Sequence, residues 1–201
     1  MSTNIEIESK VLLTKENFEK VIDALHADRY KRVKQINHYI DSEDQVLRRL
    51  GCALRIREKD DFVLTLKTPL SEGLLEKSQT ISWRQYDRLS KNNIFPDGDI
   101  KNFLEILGIK IENLKILTSL TTDRIEIPYK EGLFSLDKNE YSGTIDYELE
   151  MEQTSIQYAE ECLEEICALA GVPCVFNTFS KQARAMNALK NKNKQKARFK
   201  T

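Results

Sequence analysis

In Asp146-Tyr147-Glu148-Leu149-Glu150-Met151-Glu152, four acids alternate with three apolar residues at a period of two. Successive side chains of a β-strand point to opposite faces, so this stretch predicts a strand with one acidic face and one apolar face. Like charges on one strand face repel one another, and the ladder must be dispersed in water or neutralised by cations. The same alternation occurs near the start, in Ile5-Glu6-Ile7-Glu8-Ser9-Lys10-Val11, read as one strand with Glu6, Glu8 and Lys10 on a single face. Two carboxylates about 7 Å apart along a strand can share a hard divalent cation, and a lysine beside them can take an anion that the metal also touches. Alone, such a triplet reads more readily as solvated charge on a half-exposed strand. Its recurrence is what gives it weight.

Between the two ladders the chain repeats the pattern with cations. Ala53–Glu58 and Phe62–Lys67, joined across Asp60-Asp61, predict a hairpin with Arg55 and Arg57 on one face of its first arm and Lys67 on one face of its second. Leu74–Trp83 predicts a strand whose polar face carries Glu76, Ser78, Thr80 and Ser82. Leu117–Tyr129 sets Arg124 and Glu126 opposite Ile125 and Ile127, and Leu133–Lys138 sets Ser135 and Asp137 opposite Phe134 and Leu136. Arg29–Ile40 reads as a long polar strand, and its lone His38, with no second ligand at strand or helix spacing, reads as structural.

Helices separate these strands. Thr14 is placed to cap one with Phe18, Val21, Ile22 and Leu25 on a single face, and Tyr86–Leu117 turns helical with Gly108 at a stop. Ser155 opens a helix that Gly171 and Pro173 end, and a last helix runs from Ser180 to about Leu189 with Lys181 at its start. Residues 190–201 then read as a basic disordered tail, for which a nucleic-acid contact is not expected because Phe199 is its only aromatic. Six of the chain's cations lie in that tail, so the net charge of −1 conceals a body at −7.

A chain of 201 residues suffices for one barrel-sized domain, taken as residues 1–189. Its four cysteines (Cys52, Cys162, Cys167, Cys174) show no Cys-x-x-Cys spacing, and no signal pattern opens the chain, which predicts reduced thiols in a cytoplasmic protein. No apolar run approaches the roughly 20 residues needed to cross a bilayer, so no membrane partner is expected. The eight strand candidates, joined by short turns, predict an α+β fold in which an eight-stranded antiparallel β-barrel is packed on the outside by helices. Two arrangements satisfy the pattern, with the lumen filled by apolar side chains or lined by the charged faces. In the second, carboxylates (Glu6, Glu8, Asp137, Glu148, Glu150) meet cations (Lys10, Arg55, Arg57, Lys67, Arg124, Lys181). Unpaired interior charge costs several kcal/mol. A polyphosphate carrying Mg²⁺ or Mn²⁺ balances both sets, because the acids hold the metal and the arginines take phosphate oxygens.

The ordered set Glu6-x-Glu8-x-Lys10, Arg55-x-Arg57, Lys67 in Leu-Thr-Leu-Lys, Glu76, Arg124, Asp137, Glu148-x-Glu150 and Lys181 resembles the motifs of the CYTH superfamily, the triphosphate tunnel metalloenzymes, and most of all their small single-domain YjbK-like bacterial branch. The resemblance spans Ile5 to about Leu189. It implies a triphosphate tunnel with Glu6, Glu8, Asp137, Glu148 and Glu150 as metal ligands for Mg²⁺ or Mn²⁺. Lys10, Arg55, Arg57, Lys67, Arg124 and Lys181 are implied as phosphate ligands, Glu76 as a lining residue, and Tyr39 beside Lys67 as a participant in proton transfer. One departure stands out: the family's Lys-Ser-Lys reads Phe179-Ser180-Lys181 here, one cation fewer.

The activity implied by this resemblance is metal-dependent hydrolysis of a small-molecule triphosphate, be it inorganic triphosphate, thiamine triphosphate or a nucleoside triphosphate, by a monomer or homodimer. A class IV-type adenylate cyclase making cyclic AMP from ATP and a non-catalytic polyphosphate or nucleotide sensor are the alternatives. Cyclisation needs an adenine pocket and a positioned ribose oxygen, and no residues announce either.

Overall fold

In the computed structural model, which describes residues 2–198, the alternating stretches pair into one antiparallel sheet of nine strands. In chain order these are β1 (Ser2–Glu6), β2 (Glu8–Leu13), β3 (Arg32–Asp41), β4 (Ala53–Glu58), β5 (Phe62–Pro69), β6 (Leu74–Ile81), β7 (Lys115–Tyr129), β8 (Gly132–Tyr141) and β9 (Thr144–Glu152). They lie in the order β1-β6-β5-β4-β3-β7-β8-β9-β2. The α-helices are α1 (Lys15–Ala24), α2 (Val46–Arg49), α3 (Trp83–Asn92), α4 (Asp99–Ile106), α5 (Ile156–Ala170) and α6 (Lys181–Arg198).

The α+β class stands, with two corrections to the sheet. Nine strands replace the expected eight because the first alternating stretch breaks at Ile7. Its front half pairs with β6 and its back half with β9, so Glu6 lies opposite Leu74 while Glu8 lies opposite Glu152. The amide of Gln153, just past β9, donates to the Ile7 carbonyl at 3.0 Å, which pins the break. The sheet therefore ends at β1 and β2 rather than closing into a ladder-complete barrel. Those two edges are consecutive in the chain, one residue apart.

The apolar faces of the strands are covered by helices. Phe18 and Val21 of α1 with Leu163 and Ile166 of α5 bury Phe134, Leu136, Leu149 and Met151. Leu89 of α3 with Ile100 and Leu104 of α4 bury Leu54, Ile56, Leu64 and Leu66. Each such side chain contributes about 1.5–3 kcal/mol on burial. Because both apolar layers lie under helices, the opposite, charged faces are left to line a cavity, which decides between the two arrangements open in the sequence. The expected caps hold the helices in register: Thr14 Oγ1 accepts from the Asn17 amide at 3.2 Å and Ser155 Oγ from the Tyr158 amide at 3.2 Å.

The end of the chain differs from expectation. Helix α6 continues through Lys190–Arg198, a stretch whose composition predicts a disordered tail, and residues 199–201 lie outside the described residues. Straight-chain Lys, Gln and Arg favour helix, and here they extend a helix already anchored by its first turns.

Gly73, just before β6, has φ +77°, and a Cβ there would stand 2.5 Å from the Glu6 carbonyl oxygen. Gly73→Ala adds left-handed strain of about 1–2 kcal/mol to a backbone clash at the β1 edge. A melting temperature several degrees below that of the wild type is expected in a thermal unfolding scan.

Candidate active site

The inward faces of the strands, together with the start of α6, enclose a cavity of about 340 Å³. Glu6, Glu8, Lys10, Tyr39, Arg55, Arg57, Lys67, Arg124, Glu150 and Lys181 line it. Asp137 and Glu148, both 0% exposed, lie directly beneath Lys181. Glu76 does not line the cavity but holds Lys67 from behind at 2.8 Å.

Strand register explains the grouping. Asp137 on β8 lies opposite Glu148 on β9 and Arg124 on β7, and Lys10 on β2 lies opposite Glu150. Arg124 grips Asp137 with two parallel bonds of 2.7 and 2.6 Å and reaches Glu150 at 2.5 Å. The connection before α6 is tied down by a bridge between Phe176 and Val11 and by the Asn177 amide, which donates to the Lys10 carbonyl at 2.8 Å. This delivers the Lys181 ammonium into the acidic wall, 3.0 Å from Asp137, 2.7 Å from Glu150 and in contact with Glu148.

Burial opposes charge on all of these groups, and which neighbours offset it decides the direction of each shift. At Glu150, Lys181, Lys10 and Arg124 outweigh burial and hold the carboxyl well below the usual range. At Glu148 burial prevails over Lys181, and the carboxyl is pushed up. Glu8 is likewise raised, by burial and by Glu150. Lys10 is pushed up to about 12, its burial overcome by Glu8 and Glu150.

The facing wall is different. Among the described residues Arg57 has no carboxylate within 4.0 Å, and Arg55 reaches only Glu76, at 3.9 Å. Burial and the neighbouring Arg55 lower the pKa of Arg57, and Glu76 and Glu126 offset them only in part. Lys67 is held by Glu6 and Glu76, and no hydrogen bond joins it to Tyr39 among the described residues. Tyr39 is 3% exposed, and burial pushes its phenol above the usual value.

Asp137, Glu148 and Glu150 each offer a carboxylate oxygen, and these oxygens lie within 4.8 Å of one another. Buried hard oxygen donors at that spacing fit a divalent cation of the Mg²⁺ or Mn²⁺ kind. Glu6 and Glu8 are not part of this cluster, since their contacts go to Lys67 and Lys10. Sequence reasoning missed Arg184, which bonds Glu148 at 2.6 Å and Asp146 at 2.8 Å. It stands three residues after Lys181 on α6, and helical spacing was the available signal. Phe179, where the sequence departs from Lys-Ser-Lys, is 59% exposed.

The CYTH domain family model matches residues 4–175, and the chain belongs to this family. A candidate triphosphatase of Bacillus subtilis, YjbK, is 35% identical over 174 residues, spanning 86% of this chain and 90% of its own. A solved structure from Bacillus halodurans, described as a candidate adenylate cyclase, is 39% identical, with a TM-score of 0.82 over 92% of this chain and 98% of that one. The HpAC1 protein of Hippeastrum, described as a candidate adenylyl cyclase with a dominant triphosphatase activity, shares the fold, with a TM-score of 0.73 at 24% identity over 91% of this chain and 96% of that one. Among the described residues no helix is long and apolar enough to cross a membrane.

Removing the ammonium from the acidic wall leaves buried carboxylates underneutralised. Lys181→Met is expected to lose about 3 kcal/mol or more of stability. Added Mn²⁺ is expected to raise the melting temperature of the variant by more than that of the wild type, because the same three carboxylates are then free to take it. Equal metal shifts in a thermal scan of the two proteins would count against this cluster as the metal's place.

Proposed function

We propose that the protein hydrolyses a small-molecule triphosphate in this cavity with the help of Mg²⁺ or Mn²⁺. One observation carries the reading: a wall of three clustered carboxylates faces a wall where Arg55 and Arg57 are almost without acids. An anion offering only acceptor oxygens complements the second wall, and a metal bound to that anion complements the first. Membership in the CYTH family and the likeness to YjbK support the same reading. In it, β1 and β2 are two halves of one strand completing a triphosphate tunnel, and residues 1–189 act as a single domain. Four free thiols support a cytoplasmic setting.

Asp137, Glu148 and Glu150 would hold the metal, and Glu6 and Glu8 would supply further oxygens from the neighbouring wall. When bound, the metal polarises phosphoryl oxygens and activates water. Arg55 and Arg57 take the phosphate chain by paired donors, while Lys10, Lys67 and Arg124 neutralise charge as it develops on the transferred group. Lys181, which contacts these carboxylates, would serve as a further phosphate ligand with the metal bound. Tyr39, kept protonated by burial, donates a hydrogen bond beside Arg55.

ATP cyclisation is the rival, favoured by the description of the 39% identical relative. Phosphate release from inorganic triphosphate, thiamine triphosphate and ATP, measured with Mg²⁺ or Mn²⁺ while cyclic AMP is followed, separates the readings. Expected is release that EDTA stops and that Glu148→Gln lowers about 100-fold or more, equivalent to about 3 kcal/mol. Cyclic AMP as the main product would establish the cyclase, and tight triphosphate binding without turnover a sensor.

A further inference from the structure

Asn37 is 1% exposed, and among the described residues neither its Oδ1 nor its Nδ2 has a hydrogen-bond partner. It lies in the wall of the cavity, on the inward face of β3, opposite Arg57 on β4 and Leu120 on β7. A buried amide left unpaired costs about 1–3 kcal/mol, and such groups are few in native folds. Leu120 shows that an apolar side chain is accommodated in the same row. The amide therefore faces something that enters the cavity.

Its neighbours say what that is. Arg57 has no carboxylate in reach, and Arg55 Nε has no partner either. Donors from two adjacent strands thus lack acceptors at one place. We propose that Asn37, Arg55 and Arg57 form a single oxyanion subsite that holds one phosphoryl group, with the Asn37 amide N–H₂ as its neutral donor. The inference rests on the triphosphate reading and adds a substrate-contacting residue to it.

A neutral donor suits this position. Arg55 and Arg57 already repel each other with only Glu76, 3.9 Å from Arg55, close by, and a third cation would deepen that repulsion. An amide adds a hydrogen bond without adding charge. Its carbonyl oxygen repels phosphate, so the side chain presents its N–H₂ on one side only and fixes the position of the bound group along β3. The subsite lies across the cavity from the carboxylates of β8 and β9, so the two ends of a bound polyphosphate are distinguished by the walls they touch.

Binding calorimetry tests this with two probes: inorganic triphosphate in EDTA, and its non-hydrolysable imido analogue with Mg²⁺. Asn37→Leu is expected to weaken binding about tenfold or more while melting no lower than the wild type, because it removes a buried amide that the protein itself does not satisfy. Asn37→Asp keeps the shape and is expected to bind more weakly still, since its carboxylate pairs with Arg57 and repels phosphate. An Asn37→Leu protein that binds both probes like the wild type, or that melts several degrees lower, overturns the proposal and leaves the triphosphate reading intact. Wild-type protein that binds neither probe overturns both.

Discussion

Everything in this structure turns on one ammonium group among three buried carboxylates. Asp137 and Glu148 are fully buried and Glu150 nearly so, and a charge in such a place is tolerated only when paired. The sheet supplies Arg124 and Lys10 from its own strands, yet the centre of the cluster is filled from a helix that begins almost 30 residues after β9 ends. The acidic ladder can be buried because the chain's last helix brings Lys181 and Arg184 to it. The same strand that carries Glu148 and Glu150 inward carries Leu149 and Met151 outward into the core under α1 and α5. Hydrophobic burial holds the ladder in place, and the cations offset the cost of burying its carboxylates.

This division of labour gives the cavity two unlike walls. On β8 and β9 every carboxylate of the metal-fitting cluster has a cation within 4.0 Å, whereas among the described residues Arg57 on β4 has no carboxylate in reach and the side chain of Asn37 on β3 has no hydrogen-bond partner. A protein whose ionic groups served only stability would match charges throughout. The unused donors on β3 and β4 are what the cavity offers to an anion.

The strands are legible in the sequence because their two faces differ so sharply in chemistry that a period of two survives residue by residue. Helix caps at Thr14 and Ser155 are legible for the same local reason. The inward set can be assembled in outline, since charged residues recur in the same phase on strand after strand. The features that escape such a reading are non-local. Nothing in Ile5–Val11 announces that pairing changes partner at Ile7, because the alternation runs straight through the break. The grouping of Glu6 and Glu8 with lysines, rather than with the three-carboxylate cluster, is likewise set by which strand each half joins. Arg184 and Asn37 escape because a single residue on a helix or a polar strand has meaning only once its neighbours are known.

The break at Ile7 also governs when the molecule can be completed. Residues 2–13 supply both borders of the sheet, yet their partners are β6 and β9, and the latter ends only at Glu152. Until that residue has been made, β2 has no mate, and both it and the growing sheet expose unpaired backbone. Pairing residues 8–13 with 147–152 closes a very long loop, the kind of contact that slows folding. β1 and β2 thus precede both of their partners in the chain, and nascent chains halted before β9 carry an open border prone to pairing with one another.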